Sequence, residues 1–308
     1  MPSSFTLIET LPSKLDNSVN FLFKNLMGKT IEARFVQRDE SKIIIYLSSQ
    51  TGCEQACRFC HLTQMGLNKE VASIGLSQFY LQTRTIFDYL SKHDIIKGSP
   101  TRVSFNFMAR GEPLLNTAIR TSSDRLFSNL TQIAQSYHYP DIDFKISSIL
   151  PYSQEYDDTC RVVQYRKMLD RVVFESEYDV ELYFSLYSTR NAFHKHWVPN
   201  GLFASVAGEV LSGVDYRLVL HHALIDGEND SEEDAHRITN WMQTFNITAR
   251  FNLVRYNPYS SRCGRESSLK TIQAYMQVMK DNPRITHLQM VSRVGQDIAA
   301  SCGMFLNQ

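Results

Sequence analysis

Short runs of β-branched and aromatic residues alternate along this chain with longer stretches whose apolar positions recur every three or four residues. The short runs predict strands over residues 43–48, 103–108, 144–148, 180–186, 217–221 and 249–254. The longer ones predict helices over 77–90, 117–137, 161–172, 202–211 and 231–245. The last has a clear start: Ser231 can cap it, Asp234 sits three residues on, and Glu232 and Glu233 suit the positive end of the helix dipole.

Regular strand–helix alternation predicts a parallel α/β sheet. Six such units fit a partial, open (β/α)6 TIM-type barrel better than a closed one of eight. In such barrels chemistry gathers at the C-terminal ends of the strands. Residues 1–40 read as an N-terminal extension, with a helix over 15–26 and a strand over 30–36. That strand would pair with 43–47 across the polar turn Arg38-Asp39-Glu40-Ser41. The barrel takes residues 41–260. Residues 261–308 read as a C-terminal α/β extension, with a helix near 269–279, a strand near 285–291 and a tail carrying Cys302. No internal repeat or low-complexity linker interrupts this order.

Composition changes the picture little. Of 308 residues, 43 % are hydrophobic and 21 % charged, a globular profile. No apolar stretch reaches the ~20 residues that span a bilayer, and nothing at the start reads as a signal peptide. Six cysteines in so long a chain do not make a disulfide scaffold. Cytoplasmic residence and no membrane partner are the expectation. Zero net charge gives no global basic field for nucleic acid.

The candidate chemistry begins at Cys53, Cys57 and Cys60, a C-x3-C-x2-C run just after the first barrel strand. Thiolates from one short loop select zinc, copper(I) or iron–sulfur clusters. Structural zinc wants four ligands, and the remaining cysteines, Cys160, Cys263 and Cys302, are isolated. A four-iron cluster held by three cysteines leaves one iron open to a ligand that is not protein. A second run, Gly111-Glu112-Pro113-Leu114-Leu115-Asn116, follows the second strand. There a glycine lets backbone approach a ligand and a carboxylate can take an ammonium group.

Taken in order, Ser48-Ser49-Gln50-Thr51-Gly52-Cys53, the Gly111–Asn116 run, Arg255-Tyr256-Asn257-Pro258-Tyr259 and Gly295-Gln296-Asp297-Ile298-Ala299-Ala300-Ser301-Cys302-Gly303 resemble the RlmN/Cfr family of radical-SAM RNA methyltransferases. The likeness runs from about Ile31 to Gly303 and includes Phe59 before the last loop cysteine. It implies a radical-SAM partial barrel. It also implies a 4Fe-4S cluster on Cys53, Cys57 and Cys60, with S-adenosylmethionine (SAM) on the open iron.

Gly111 and Glu112 would receive the amino group of SAM. Ser147 looks like the serine that meets SAM at the third strand end, and Asn257 like the asparagine that contacts it. Ser185-Leu186-Tyr187 stands where the family has Ser-Leu-His. Cys302 matches the cysteine that is methylated and, as a methylene radical, attacks an aromatic carbon of adenine. Glu32 falls near a family glutamate that acts as a base. RNA as substrate, and a flavodoxin-type or other reductant, are the implied partners.

The chain departs from the pattern in two places. The family's second cysteine, which resolves the adduct through a disulfide, stands seven residues before the first cluster cysteine; here that position is Tyr46. A phenol cannot form a disulfide, and with an unperturbed pKa of ~10 it is a poor base at neutral pH. Cys263 or Cys160 could resolve the adduct instead; Cys263 is the better substitute, since it follows Asn257 at the active-site end, whereas Cys160 sits at a helix start. Only about 30 residues precede the hairpin, so most of the family's helical N-terminal RNA-recruitment domain is expected to be missing. The alternatives are therefore a radical-SAM enzyme with a small-molecule or nucleotide substrate, and a non-catalytic RNA- or partner-binding relative.

Overall fold

The computed structural model describes residues 4–153, 155–156, 159–214 and 217–306. The outermost residues of both expected extensions, 1–3, 307 and 308, lie outside the described residues. The strands are β1 (Phe5–Pro12), β2 (Ser18–Asn25), β3 (Thr30–Val36), β4 (Lys42–Leu47), β5 (Arg102–Phe107), β6 (Asp141–Ser148), β7 (Val180–Phe184), β8 (Leu218–Ala223), β9 (Ala249–Val254) and β10 (Ile285–Val291). The helices are α1 (His61–Gln64), α2 (Leu76–Lys92), α3 (Thr117–Ser136), α4 (Arg161–Leu169), α5 (Asn191–Trp197), α6 (Ala204–Val210), α7 (Glu232–Thr244) and α8 (Leu269–Lys280). All ten strands form one sheet in chain order. β1 to β4 pair antiparallel and β4 to β10 parallel. The sheet curls as a partial TIM-type barrel.

The pleat divides its two faces. Ile43, Ile45, Val103, Phe105, Phe144, Ile146, Leu182, Leu220 and Phe251 point to the helices and join one continuous core. Each such side chain contributes ~1.5–3 kcal/mol when fully buried. The alternate positions carry polar groups that pair across or along the strands. Ser104 donates to Asp143 at 2.8 Å, Lys145 pairs with Asp143 at 3.3 Å, and Arg250 pairs with Glu181 at 2.5 Å. Towards the C-terminal end this polar face continues into the site.

The helix expected over 15–26 is a strand instead. Leu15, Val19, Leu22 and Leu26 mimic helical spacing. Yet Leu15 and Leu26 are 69 % and 97 % exposed in turns, whereas Val19, Phe21 and Phe23 alternate into the core. Three apolar side chains two residues apart, supported by pairing on both sides, outweigh the helical period. The run near 285–291 is β10, which extends the barrel sheet by pairing parallel with β9. The cap at Ser231 forms as expected: its hydroxyl accepts from the Asp234 N–H at 3.1 Å.

Candidate active site

The loop after β4 and the turn after β5 are joined at the mouth of the barrel. The Ser49 N–H donates to the Arg110 carbonyl at 2.8 Å, and the Glu112 N–H donates to Gln50 Oε1 at 2.8 Å. Gly111 has φ +105°, and a Cβ there would lie 2.5 Å from Ser49 Oγ. Only glycine fits this close approach.

Cys53, Cys57 and Cys60 line one lobe of a cavity together with Gly111, Glu112, Ser147, Ser185, Tyr187, Asn257 and Cys302. A second lobe is lined by Arg34, Arg38, Tyr46, His221, Arg255 and Arg293, and again by Ser147, Ser185, Tyr187, Asn257 and Cys302. Each lobe encloses a cavity of ≈ 140 Å³, and with the space open to solvent at their mouths they extend to ≈ 900 Å³ and ≈ 750 Å³. Cys302 lies where they meet.

Except for Arg34 on β3 and Arg38 just after it, these groups come from the C-terminal end of a parallel strand, from the loop that follows it or from the tail. Ser147 closes β6, Ser185 and Tyr187 follow β7, His221 is in β8, Asn257 follows β9 and Arg293 follows β10. Phe59 rests on Tyr187, ring centroids 4.3 Å apart.

The thiols sit in dry surroundings. Burial pushes Cys60 up to about 11, despite N–H donors from Leu62 and Thr63. Burial, then the neighbouring thiols, raise Cys57 and Cys53 further. Among the described residues no three His, Cys, Asp or Glu side chains close around a single ion. A four-iron cluster asks something different, one thiolate at each of three irons, and its positive charge would favour the thiolates that burial opposes. The three cysteines lining one lobe fit that demand.

Glu112 is also buried, and burial lifts its carboxyl to about 7, against hydrogen bonds from Ser148 and the Leu114 and Ile149 N–H groups. Among the described residues no cation pairs with it. A buried carboxylate with N–H donors behind it and no counter-charge fits a ligand ammonium.

The tail bearing Cys302 is held from several sides. Asn257 Nδ2 donates to the Cys302 carbonyl at 3.0 Å, while its Oδ1 accepts from Arg293 Nε at 2.7 Å. The His61 N–H donates to the Gly303 carbonyl at 3.1 Å. Cys302 is exposed towards the cavity; the surrounding protein raises its thiol, and Arg34 opposes that rise.

Glu32 does not line either lobe. It is fully buried on β3 between Arg110, whose NH2 lies 2.5 Å away, and Arg34 at 3.1 Å. Burial would raise its carboxyl, but the two guanidiniums hold it below the ordinary value. It also accepts the Leu306 N–H at 3.0 Å. The same arginines reach the tail: Arg34 donates to the Ala300 carbonyl at 3.1 Å and the Met304 carbonyl at 2.6 Å, and Arg110 to the Leu306 carbonyl at 2.8 Å. This hub pins the tail to β3.

Cys263 is buried away from the cavity, its sulfur 3.5 Å from Ser260 Oγ. Leu186 is in the core, and its carbonyl accepts from His222 Nδ1. Tyr46 lines the arginine-rich lobe. His221 was not singled out by the sequence, because a histidine in a strand carries no motif; its Nε2 lies 4.0 Å from Cys302 Sγ.

No family model matches the chain. Among curated proteins it is 25 % identical to a probable RNA methyltransferase of Rhodopirellula baltica, over 99 % of this chain and 74 % of that one. It is 25 % identical to the dual-specificity RNA methyltransferase RlmN of Alkalilimnicola ehrlichii, over 95 % and 74 %. It is 26 % identical to a probable dual-specificity RNA methyltransferase RlmN of Clostridium botulinum, over 96 % and 78 %. Among solved structures, a radical SAM methyltransferase from Sphaerobacter thermophilus shares the fold, with a TM-score of 0.73, 18 % identity and coverage of 98 % of this chain and 81 % of that one. No helix among the described residues is long and apolar enough to cross a membrane.

Proposed function

We propose that this RlmN/Cfr-like chain is a radical-SAM methyltransferase that uses Cys302 as methyl acceptor and carrier, with an adenine in RNA as the final acceptor. The observation that supports it most is the position of Cys302, shared by the thiol-lined lobe and the arginine-rich lobe.

In this reading Cys53, Cys57 and Cys60 hold a 4Fe-4S cluster, and Glu112 takes the ammonium of SAM. When bound, cluster and SAM supply the methyl group and a 5′-deoxyadenosyl radical. Ser147, Ser185 and Asn257 border the lobe in which the ligand would lie. Asn257 and the Glu32 hub orient Cys302 and limit its freedom. Arg34, Arg38, Arg255 and Arg293 line the second lobe; Arg34 is paired with Glu32, and Arg255 and Arg293 with Glu266, which leaves Arg38, among the described residues, to meet a phosphate-bearing substrate. Arg38 is exposed at its rim and pairs with no carboxylate among the described residues.

The test is anaerobic purification from iron-supplied cells and mass mapping of the Cys302 peptide. One added methyl is expected on Cys302, and SAM should be cleaved by the reduced protein. An unmodified Cys302 beside a SAM-cleaving cluster would refute the carrier role.

A second reading has one observation in its favour. Apart from Cys302 and the loop cysteines, no thiol lines either lobe among the described residues, so no disulfide partner stands ready to resolve an adduct. A radical-SAM enzyme acting on a nucleotide or small molecule would not need one. Incubation with total RNA and with free nucleotides separates the two.

A further inference from the structure

The arginine-rich lobe contains a group whose chemistry nothing above uses. We propose that His221 is the proton acceptor for Cys302, taking the thiol proton on Nε2 while the sulfur attacks the methyl group of SAM. The inference rests on the carrier role of Cys302 proposed above.

Geometry carries it. His221 Nε2 is 4.0 Å from Cys302 Sγ, a sulfur hydrogen-bond contact, and both line the arginine-rich lobe. No Asp or Glu lines that lobe. Its other ionisable side chains are Tyr46 on β4, Tyr187 after β7, Arg34 on β3, Arg38 just after it, and Arg255 and Arg293 at the ends of β9 and β10, the last two paired with Glu266. Tyr183 on β7 faces the imidazole with ring centroids 5.8 Å apart, and burial pushes its phenol up. Glu32, the other candidate base, is occupied by two guanidiniums. His221 is thus the one imidazole or carboxylate lining this lobe among the described residues.

At neutral pH the ring is uncharged, because burial lowers His221 to about 4, and a neutral imidazole has one nitrogen that can accept. The same burial weakens it as a base, so the short reach from Nε2 to the sulfur carries the role. Arg34 favours the thiolate of Cys302 against the rise that burial imposes.

The step balances. The Cys302 S–H bond breaks, its proton goes to Nε2 and its electron pair forms the S–CH3 bond. The methyl–sulfonium bond of SAM breaks, and its pair leaves on the sulfur of S-adenosylhomocysteine. The imidazolium then returns its proton to water.

The test is timed iodoacetamide labelling at pH 7 of protein from iron-starved cells, in which Cys302 carries no methyl, mapped at Cys302 in wild type, His221→Ala and His221→Gln. Cys160, outside the cavity, is the internal reference for intact folding. At pH 7 both variants should label Cys302 at least ~10-fold more slowly, a floor set below the ~100-fold that general-base catalysis typically supplies. Added imidazole should restore His221→Ala in part. Unchanged rates, or a loss that imidazole does not rescue while Cys160 is unaffected, would overturn the inference. Missing methyl on Cys302 from wild-type cells would instead refute the carrier role and leave the labelling result standing.

Discussion

Replacing Glu112 by glutamine separates what the site needs from what the fold prefers. The carboxyl moves from an ordinary 4.5 to about 7 on folding, because burial disfavours its charge. At ~1.4 kcal/mol per pH unit, this amounts to ~3 kcal/mol. The sign follows from linkage: the folded protein holds the proton more tightly than the unfolded chain. Stability is therefore unpenalised below pH 4.5 and falls as pH rises to about 7. The full cost persists above that.

Glutamine removes this titration but brings its own cost. The two carboxyl oxygens accept separately from the Leu114 N–H at 3.0 Å and the Ile149 N–H at 3.2 Å. An amide has one acceptor oxygen, so one N–H loses its partner, at ~1–3 kcal/mol. Glu112→Gln should thus destabilise the ligand-free protein near pH 5 and stabilise it, or leave it level, at pH 8. The change between the two values should be ~2.5 kcal/mol, since part of the penalty is already present at pH 5. Urea unfolding of the reduced, ligand-free protein and variant at both pH values measures it, with all other titrations cancelling. An equal effect of the substitution at pH 5 and pH 8 would refute the account of Glu112 as an uncompensated buried acid.

The ionised form is the one that takes an ammonium, so SAM affinity should drop about fivefold from pH 7 to pH 6, as the ionised fraction falls; Glu112→Gln should bind weakly at both, by equilibrium dialysis. Glu32→Gln leaves two buried guanidiniums short of charge and should cost ~3–5 kcal/mol in urea unfolding, with earlier proteolysis of the tail after Ile298. Cys57→Ser should lose the iron and its visible absorbance, whereas Cys263→Ala should keep both, along with methylation of Cys302. Arg38→Ala should leave stability within ~0.5 kcal/mol and reduce the salt slope of RNA binding by ~1.

Strand–helix alternation and the cysteine loop were legible because each is written over a short, contiguous run. The parallel strands show as solid apolar segments, and Gly111 and Glu112 follow one of them directly. The helix expected over 15–26 failed because Leu15 and Leu26 supply a helical period that only tertiary burial could discount. Glu32 and Arg110 were out of reach for another reason: their pairing joins residues 78 apart, and no local pattern announces it. His221 was missed because what matters about it is its distance to a sulfur 81 residues away. Cys263 misled because nearness in sequence to Asn257 is not nearness to the cavity.

The tail's anchorage sets a clock on assembly. Arg34 meets the Ala300 carbonyl across 266 residues of chain. At ~5–20 residues per second, a ribosome needs roughly 15–50 s to deliver that partner. Through this interval β3 and β4 are already made, and the floor of the cavity can exist without its roof. Cys302 joins a site most of whose walls precede it in the chain. Contacts of such long range are slow to form, so the thiol that would carry the methyl depends on pairings that reach across nearly the whole barrel.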